Sequence, residues 1–553
     1  MSFLDVYRTY KNELIIFIGF IFIRAIPEII SYPYPIGYDS AYYIGTLHRY
    51  GQLDFLSYLN RIIFQEFKQP PFLFVIYYIL LRIGINEIAI IKATTPIFYG
   101  ILGISIYKLY LQELSSNRQE ALFTTLIVGL YYTTLRIGTD YIKNLLALAF
   151  FILALYYHEK PRKSNKSIVL YIIFSVLTFI THQLMTFFLS ILLWFLVLIR
   201  FKQQRLKSTL IDIFILSIGG FFSLFYMLHS FTLEALLSMN ISTPTFIYIP
   251  YHSYGDLMIF VISLLILCTL PILSLLAIII YQNESSIVKK SMLASKVILL
   301  WILISFFFGI SPLLVYPLKV PFWYRWIILL PIPLLFVTMK ILVFTRHLRI
   351  KPFRVSIYLK VALVFTLMAS FGYMTFPSSA PYFFFTSPTT NEFFPTTMQK
   401  NTVLFEQMND LERIFTIANE IIKNRTGKIA FIAPEPLYGW ALYYLDRDIP
   451  VIICSWNVTE AIERGIREGY QEFFMVWWKK SIYVKAINST SFEDKLIIPA
   501  GFTILKDSEF FLLYYYHKTT IKDYNMFGLW NTNSFFLPTI KRIHSASAVE
   551  SFS

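Results

Sequence analysis

Charge is scarce in this chain: 15% of its 553 residues are Asp, Glu, Lys or Arg, against 56% hydrophobic and a mean hydropathy of +0.59. That balance excludes an ordinary soluble fold of this length and makes the bilayer the solvent for most of the chain. Cysteine is nearly absent, with Cys268 and Cys454 far apart, so neither a disulfide framework nor a thiolate metal cluster is encoded. No Gly-x-Gly-x-x-Gly loop follows a strand pattern, which removes a dinucleotide role. No His, Cys and carboxylate set has metal-ligand spacing; a divalent cation (Mg or Mn) would need Asp39 and Asp140 together, and metal-independent chemistry is favoured. Acidic residues are also unevenly withheld: residues 1–375 carry 31 basic and 15 acidic residues, whereas 376–553 carry 17 and 18. The isoelectric point of 9.4 therefore comes from basic residues in short loops between apolar runs, the positive-inside pattern, and not from a nucleic-acid-binding patch.

What fills the chain is a series of apolar stretches near the ~20 residues a spanning helix needs. They lie at about 14–30, 88–110, 120–135, 141–157, 168–180, 184–200, 209–229, 256–280, 297–315, 323–342 and 355–375. The first lacks a small-x-small cleavage site and reads as a retained signal anchor. The expectation is a polytopic α-helical membrane domain, 1–375, of roughly eleven spans, followed by a C-terminal domain, 376–553. Basic loops at 160–166, 200–207, 289–296 and 346–354 should be cytoplasmic. Pro70–Ile83 is apolar but short; if it crossed, all four loops would invert, so it belongs on the outer side. The N-terminus is then cytoplasmic, a long first loop (31–87) is external, and the C-terminal domain is extracytoplasmic in a multi-pass protein of the cell membrane. Sequons at Asn424, Asn457 and Asn488 fit that side.

From Lys428 the pattern alternates β-rich runs (428–433, 450–454, 472–476) with helical ones (436–445, 459–469), which predicts a small α/β domain with a parallel sheet. Pro434-Glu435-Pro436 and Trp440 read as a strand-to-helix turn and a packed aromatic in preference to an acceptor-binding rim, and no chemistry is assigned to this domain.

Ionisable groups beside the bilayer mark the places where chemistry is expected. Gly37-Tyr38-Asp39 sets one carboxylate at the outer end of the first span. A sugar on a lipid phosphate already has a leaving group, so transfer needs a carboxylate base and cations for the departing phosphate. Asp39 suits the base; spacing alone favours instead an N-cap on the helix starting at Ser40. Asp140 opens a later span and carries the same two readings. Lys68, before Pro70-Pro71, can hold a phosphate or snorkel to water. His182 sits where a span ends outside, a place more often held by a satisfied interfacial histidine. Arg325 can clamp phosphate or anchor in the aromatic belt.

In Gly37-Tyr38-Asp39 and the later Pro70-Pro71, the chain resembles the GT-C superfamily of membrane glycosyltransferases, which includes oligosaccharyltransferase catalytic subunits, protein O-mannosyltransferases and lipid A aminoarabinose transferases. The resemblance implies an inverting transferase that moves a sugar from a polyprenyl (dolichyl) phosphate to a glycan, lipid or protein acceptor on the outer face. Asp39 is then base or orienting carboxylate, Asp140 the second acid and Lys68 the lysine before the prolines; Arg325 and His182, read from their own positions, join Lys68 toward the phosphate or lipid carrier. The chain departs from that pattern at Ser40, where a paired acid is frequent, at Gln69, which displaces the lysine before the prolines, and at Trp477-Trp478-Lys479, which lacks a terminal aspartate. The rival readings are a transporter or flippase of lipid-linked glycans, for which no internal repeat is visible, and a non-catalytic membrane scaffold.

Overall fold

The computed structural model describes the backbone of residues 3–65 apart from Tyr38, 69–159 apart from Ser116, 165–202, 206–230, 295–310, 323–347, 403–479 apart from Ser455 and Trp456, and 501–518, with a few isolated positions between. Lys68 and the apolar stretch 256–280 lie outside the described residues, as does most of 355–375. The N-terminal part is helical: α1 (Phe3–Ile30), α2 (Ser40–Tyr50), α3 (Phe55–Asn60), α4 (Phe72–Arg82), α5 (Glu87–Glu113), α6 (Arg118–Leu130), α7 (Tyr132–Asp140), α8 (Ile142–Glu159), α9 (Asn165–Thr181), α10 (Gln183–Lys202), α11 (Leu206–Ser230), α12 (Lys296–Gly309), α13 (Trp323–Leu329) and α14 (Pro331–His347). A two-residue antiparallel pair joins β1 (Thr245–Phe246) to β2 (Val315–Tyr316).

Several helices start on a short polar side chain that accepts from the first free N–H groups. Asn86, Asn117 and Ser295 do so for α5, α6 and α12. α5 is the central helix, packed between α1 and α8. Phe17 and Phe20 of α1 press onto Gly100 and Gly103 of α5, where a Cβ would approach their rings to 2.6–2.7 Å. Small residues at such crossings let helix backbones approach closely in a bilayer.

Among the described residues three helices are long and apolar enough to cross a membrane, Glu87–Glu113, Gln183–Phe201 and Thr209–Tyr226, or four if α6 and α7, bent by 61°, form one span. This is fewer than the roughly eleven stretches read from hydropathy. Ile142–His158, Asn165–Thr181 and Lys296–Gly309 are helical but shorter than a full span, and α13 and α14 break at Leu330; the stretch 14–30 lies in α1, which carries Glu13, Arg24 and Glu28 and is not among the three, while 256–280 and most of 355–375 fall outside the described residues. α4 has 11 residues, about 16 Å at 1.5 Å per residue and roughly half the hydrocarbon thickness.

At the far end of α8 from the loop carrying Asp39, Asp212 of α11 accepts from Arg200 of α10 (2.6 Å) and Tyr171 of α9 (3.0 Å) and lies 3.4 Å from His158 of α8. All four side chains are buried. One carboxylate thus ties four helices together near the basic loops assigned to the cytoplasmic side.

The C-terminal unit carries α15 (Met408–Lys423), β3 (Ile429–Pro434), α16 (Glu435–Tyr444), β4 (Val451–Cys454), α17 (Val458–Arg467), β5 (Glu472–Trp478), β6 (Thr503–Asp507) and β7 (Phe511–His517). Its sheet has the order β4-β3-β5-β7-β6: β3 is parallel to β4 and β5, while β7 is antiparallel to both β5 and β6. The expected parallel sheet accounts for three strands, and a hairpin not read from the sequence adds two. Trp478 is buried, its indole N–H donating to Gln407 at 3.1 Å.

The helical part and this unit each have a hydrophobic core, and α2 belongs to both. Tyr43, Ile44 and Leu47 face the helical core, while Ala41 belongs to the core of the α/β unit. The crossing of α2 with α16 is close because both helices present glycine: a Cβ on Gly439 would collide with the backbone of Ala41 and Tyr42, and one on Gly45 with the carbonyl of Gly439. Tyr34 packs on Phe405 and Trp440, and His48 on Tyr443. Gly439→Val is expected to force the helices apart at a cost of about 1–3 kcal/mol. Limited proteolysis checks this, the variant releasing the C-terminal unit faster than wild type.

Candidate functional site

The loop after α1 is fixed by a buried charged residue of α1 itself. Glu28 pairs with Arg24 (2.6 Å) and Lys92 of α5 (3.4 Å) and accepts the backbone N–H of Ile36 at 3.2 Å. Lys92 also donates to the carbonyls of Glu28 and Tyr34 at 2.7 and 2.8 Å, and Arg24 reaches across to the carbonyl of Gly138 in α7 at 2.7 Å. Gly37 follows, at φ +127°, a backbone region that only glycine adopts without strain. A side chain there would strike the carbonyl of Thr139, so the loop runs directly against the end of α7. Gly37 and Thr139, far apart in sequence, are brought side by side by this contact.

Asp39 precedes α2 in the N-cap position, yet its side chain makes no capping hydrogen bond. Its φ and ψ of −79° and −8° are already helical, which turns the carboxylate away from the first-turn N–H groups. The capping role that spacing favoured is therefore not the one adopted. The carboxylate instead interacts with the hydroxyl of Tyr43, one turn on.

Asp39 opens into a cavity of about 340 Å³ lined also by Tyr43, Gln69, Pro70, Tyr141, Lys143, Asn144, His182, Gln183, Arg325, Glu435 and Tyr438. Three of the residues singled out from the sequence, Asp39, His182 and Arg325, thus share one cavity. Lys68 lies outside the described residues, although its neighbours Gln69 and Pro70 line the wall. Asp140 is the last residue of α7, placed at a helix end and not at the start expected for an N-cap; its side chain is outside the described set.

The cations come from the apolar helical part. Lys143, in the first turn of α8, donates to the side-chain carbonyl of Gln69 and sits 5.4 Å from the Phe74 ring centroid. The Arg325 guanidinium lies 4.7 Å from the centroid of Tyr141. His182 occupies the break between α9 and α10, where its Nδ1 accepts the N–H of Leu184 at 3.1 Å. A neutral ring held that way carries its proton on Nε2, a donor.

The electrostatics follow from this layout. Removal from water raises the pKa of Asp39, and the charges of Arg325 and Lys143 oppose that rise. Burial, then the charge of Asp39, pushes the Tyr43 phenol well up, so it remains a donor to the carboxylate. Glu435 is raised by burial and by Asp39. Among the described residues no three His, Cys, Asp or Glu side chains come together to hold a metal ion.

No family description matches the chain, and no curated protein does. It is similar to a solved structure of ArnT from Cupriavidus metallidurans bound to undecaprenyl phosphate. The identity is 11% and the TM-score 0.47, over 92% of this chain and 97% of that one.

Two groups lining the cavity, Lys143 and Glu435, were given no chemistry in the sequence reading. Lys143 is a charge inside an apolar stretch, and ionisable residues at such depth carry a functional expectation by default. Glu435 starts a helix directly after β3, and Ile453, one residue before the end of β4, lines the same cavity; clefts outside the carboxyl ends of parallel strands are where open α/β sheets bind ligands. The C-terminal unit, to which no chemistry was assigned, therefore supplies part of the cavity wall.

Proposed function

We propose that this protein is a membrane glycosyltransferase that transfers a sugar from a polyprenyl phosphate to an acceptor on the outer face of the membrane, with inversion. The observation that carries this reading is the single cavity holding an uncapped carboxylate, Asp39, together with Lys143 and Arg325 contributed by apolar helices. In the reaction the acceptor hydroxyl gives its proton to Asp39 as its oxygen bonds to the anomeric carbon. The bond from that carbon to the phosphate oxygen breaks, and the electron pair leaves with the polyprenyl phosphate. The phosphate passes from a diester with one negative charge to a monoester with two, so cations aimed at it bind the transition state more strongly than the ground state. Lys143 and Arg325 take that role, with the Nε2 proton of His182 as a further donor. Asp140 follows Thr139, whose carbonyl abuts Gly37, and is assigned to the sugar or to the base. Membrane residence, about eleven spans in all, and an external C-terminal domain belong to the same proposal.

The test is to incubate purified protein in lipid nanodiscs with a panel of polyprenyl-phosphate sugars and measure release of lipid phosphate. Release from one donor, dependent on added acceptor, supports the reading; no release from any donor removes it. The pH profile gives a second check. The base must be ionised, and the pKa of Asp39 is raised, so kcat/KM should fall as pH drops through a point above the ordinary aspartate value of about 3.9. Lys143 favours the carboxylate form; the residual activity of Lys143→Met should therefore lose its acid limb at a higher pH than wild type. A shift in the opposite direction contradicts the assignment.

A further inference from the structure

Charge in the cavity is segregated by domain of origin. Lys143 and Arg325 come from helices of the apolar part, His182 from the break between two of them, Asp39 from the loop between α1 and α2, and Glu435 from the first turn of α16 in the C-terminal unit. Glu435 remains exposed as a residue, although its carboxyl is partly withdrawn from water, whereas Lys143 and His182 are buried. Tyr438, one turn further along α16, and Ile453 near the end of β4 continue the same wall. A carboxylate repels a phosphate, and the charge that Glu435 feels is that of Asp39, so the part of the wall it lines does not suit the lipid-phosphate end of a donor. It does suit a group that offers hydrogen-bond donors, and a half-apolar surface of Tyr438 and Ile453 suits the face of a sugar ring.

We propose that the C-terminal unit forms the acceptor subsite, in which Glu435 accepts a hydrogen bond from a hydroxyl of an uncharged, sugar-like acceptor and discriminates against acceptors phosphorylated near the attacking hydroxyl. This rests on the transferase reading above and adds to it the acceptor class and the residue that selects it. The placement of α16 makes the subsite depend on the glycine crossing: Gly439 lies on the same helix, four residues beyond Glu435, against α2, whose preceding residue is Asp39. Acceptor and base are therefore held in register by one helix pair.

The experiment uses the full-length protein in nanodiscs, the polyprenyl-phosphate sugar active in the panel, and two acceptors, octyl mannoside and octyl mannoside 6-phosphate. Wild type should prefer the neutral acceptor by about tenfold or more, the ratio expected for one charge-assisted hydrogen bond replaced by repulsion. Glu435→Gln should raise KM for octyl mannoside about tenfold and narrow the gap between the two acceptors, while the Kd for polyprenyl phosphate stays at the wild-type value. Glu435→Asp should restore part of the preference, which a merely structural role would not require. An unchanged KM and preference in Glu435→Gln overturns the proposal. So does a wild-type preference for the phosphorylated acceptor, a result that needs no variant to fold. If wild type releases lipid phosphate from no donor, the transferase reading fails first and the acceptor subsite with it.

Discussion

Asp39→Asn is expected to lower acceptor-dependent release of lipid phosphate by roughly 10²–10⁴, the usual cost of removing a positioned base. The substitution keeps shape and hydrogen bonding while deleting the proton acceptor. The side chain makes no capping hydrogen bond to α2, so its removal leaves the helix start as it was. The loss should therefore appear in kcat with little change in thermal stability or in affinity for polyprenyl phosphate. A variant that unfolded instead would show that the carboxylate served the fold. Tyr43→Phe, which removes the hydroxyl partner of Asp39, should lower the rate by much less and move the acid limb of the pH profile upward, because a donor to the ionised form is lost.

Glu28→Ala is expected to be the most destabilising single change near the site, by about 3–5 kcal/mol. It leaves the buried Arg24 without the ion pair at 2.6 Å and Lys92 without the one at 3.4 Å, and frees the N–H of Ile36 in the loop that leads to Asp39. Buried ion pairs are costly to assemble but costlier to break on one side. Replacing Glu28 and Arg24 together by methionine should recover much of the lost stability. It should not recover transfer, because the anchor of the Asp39 loop is still missing and Arg24 no longer reaches Gly138. Thermal melts and turnover of the single and double variants separate the two effects. Recovery of both in the double variant would show that the network serves stability alone.

Helix type and position were legible wherever apolar residues ran long and unbroken, as in α5, α10 and α11. Their lengths were less so. Hydropathy is averaged over windows and does not register the bend of α6 against α7 or the break between α13 and α14, which depend on packing against neighbours. The strands Ile429–Pro434, Val451–Cys454 and Glu472–Trp478 were readable as runs of β-branched and aromatic residues. The hairpin Thr503–His517 was not, since its polar edge strand β6, exposed throughout, has no clean alternation. In the cavity, Asp39, His182 and Arg325 could be picked out because each sits at the end of an apolar stretch. Lys143 was passed over as part of the run around Asp140. Glu435 was outweighed by its simpler role at a strand-to-helix turn, a role it does fill while its side chain also faces the cavity. The choice between cap and base for Asp39 turned on backbone angles that residue spacing does not carry. Glu28 reads in sequence as one acid within α1, and only the approach of α5 and α7 turns it into the anchor of the loop.

The most direct measurement is an experimental map of the protein in nanodiscs with polyprenyl phosphate bound. The phosphate is predicted to contact Lys143 and Arg325, with the Asp39 carboxylate facing the space its sugar would occupy and Glu435 away from the phosphate. A phosphate bound away from this cavity, or seated against Glu435 with Lys143 and Arg325 untouched, would contradict the account.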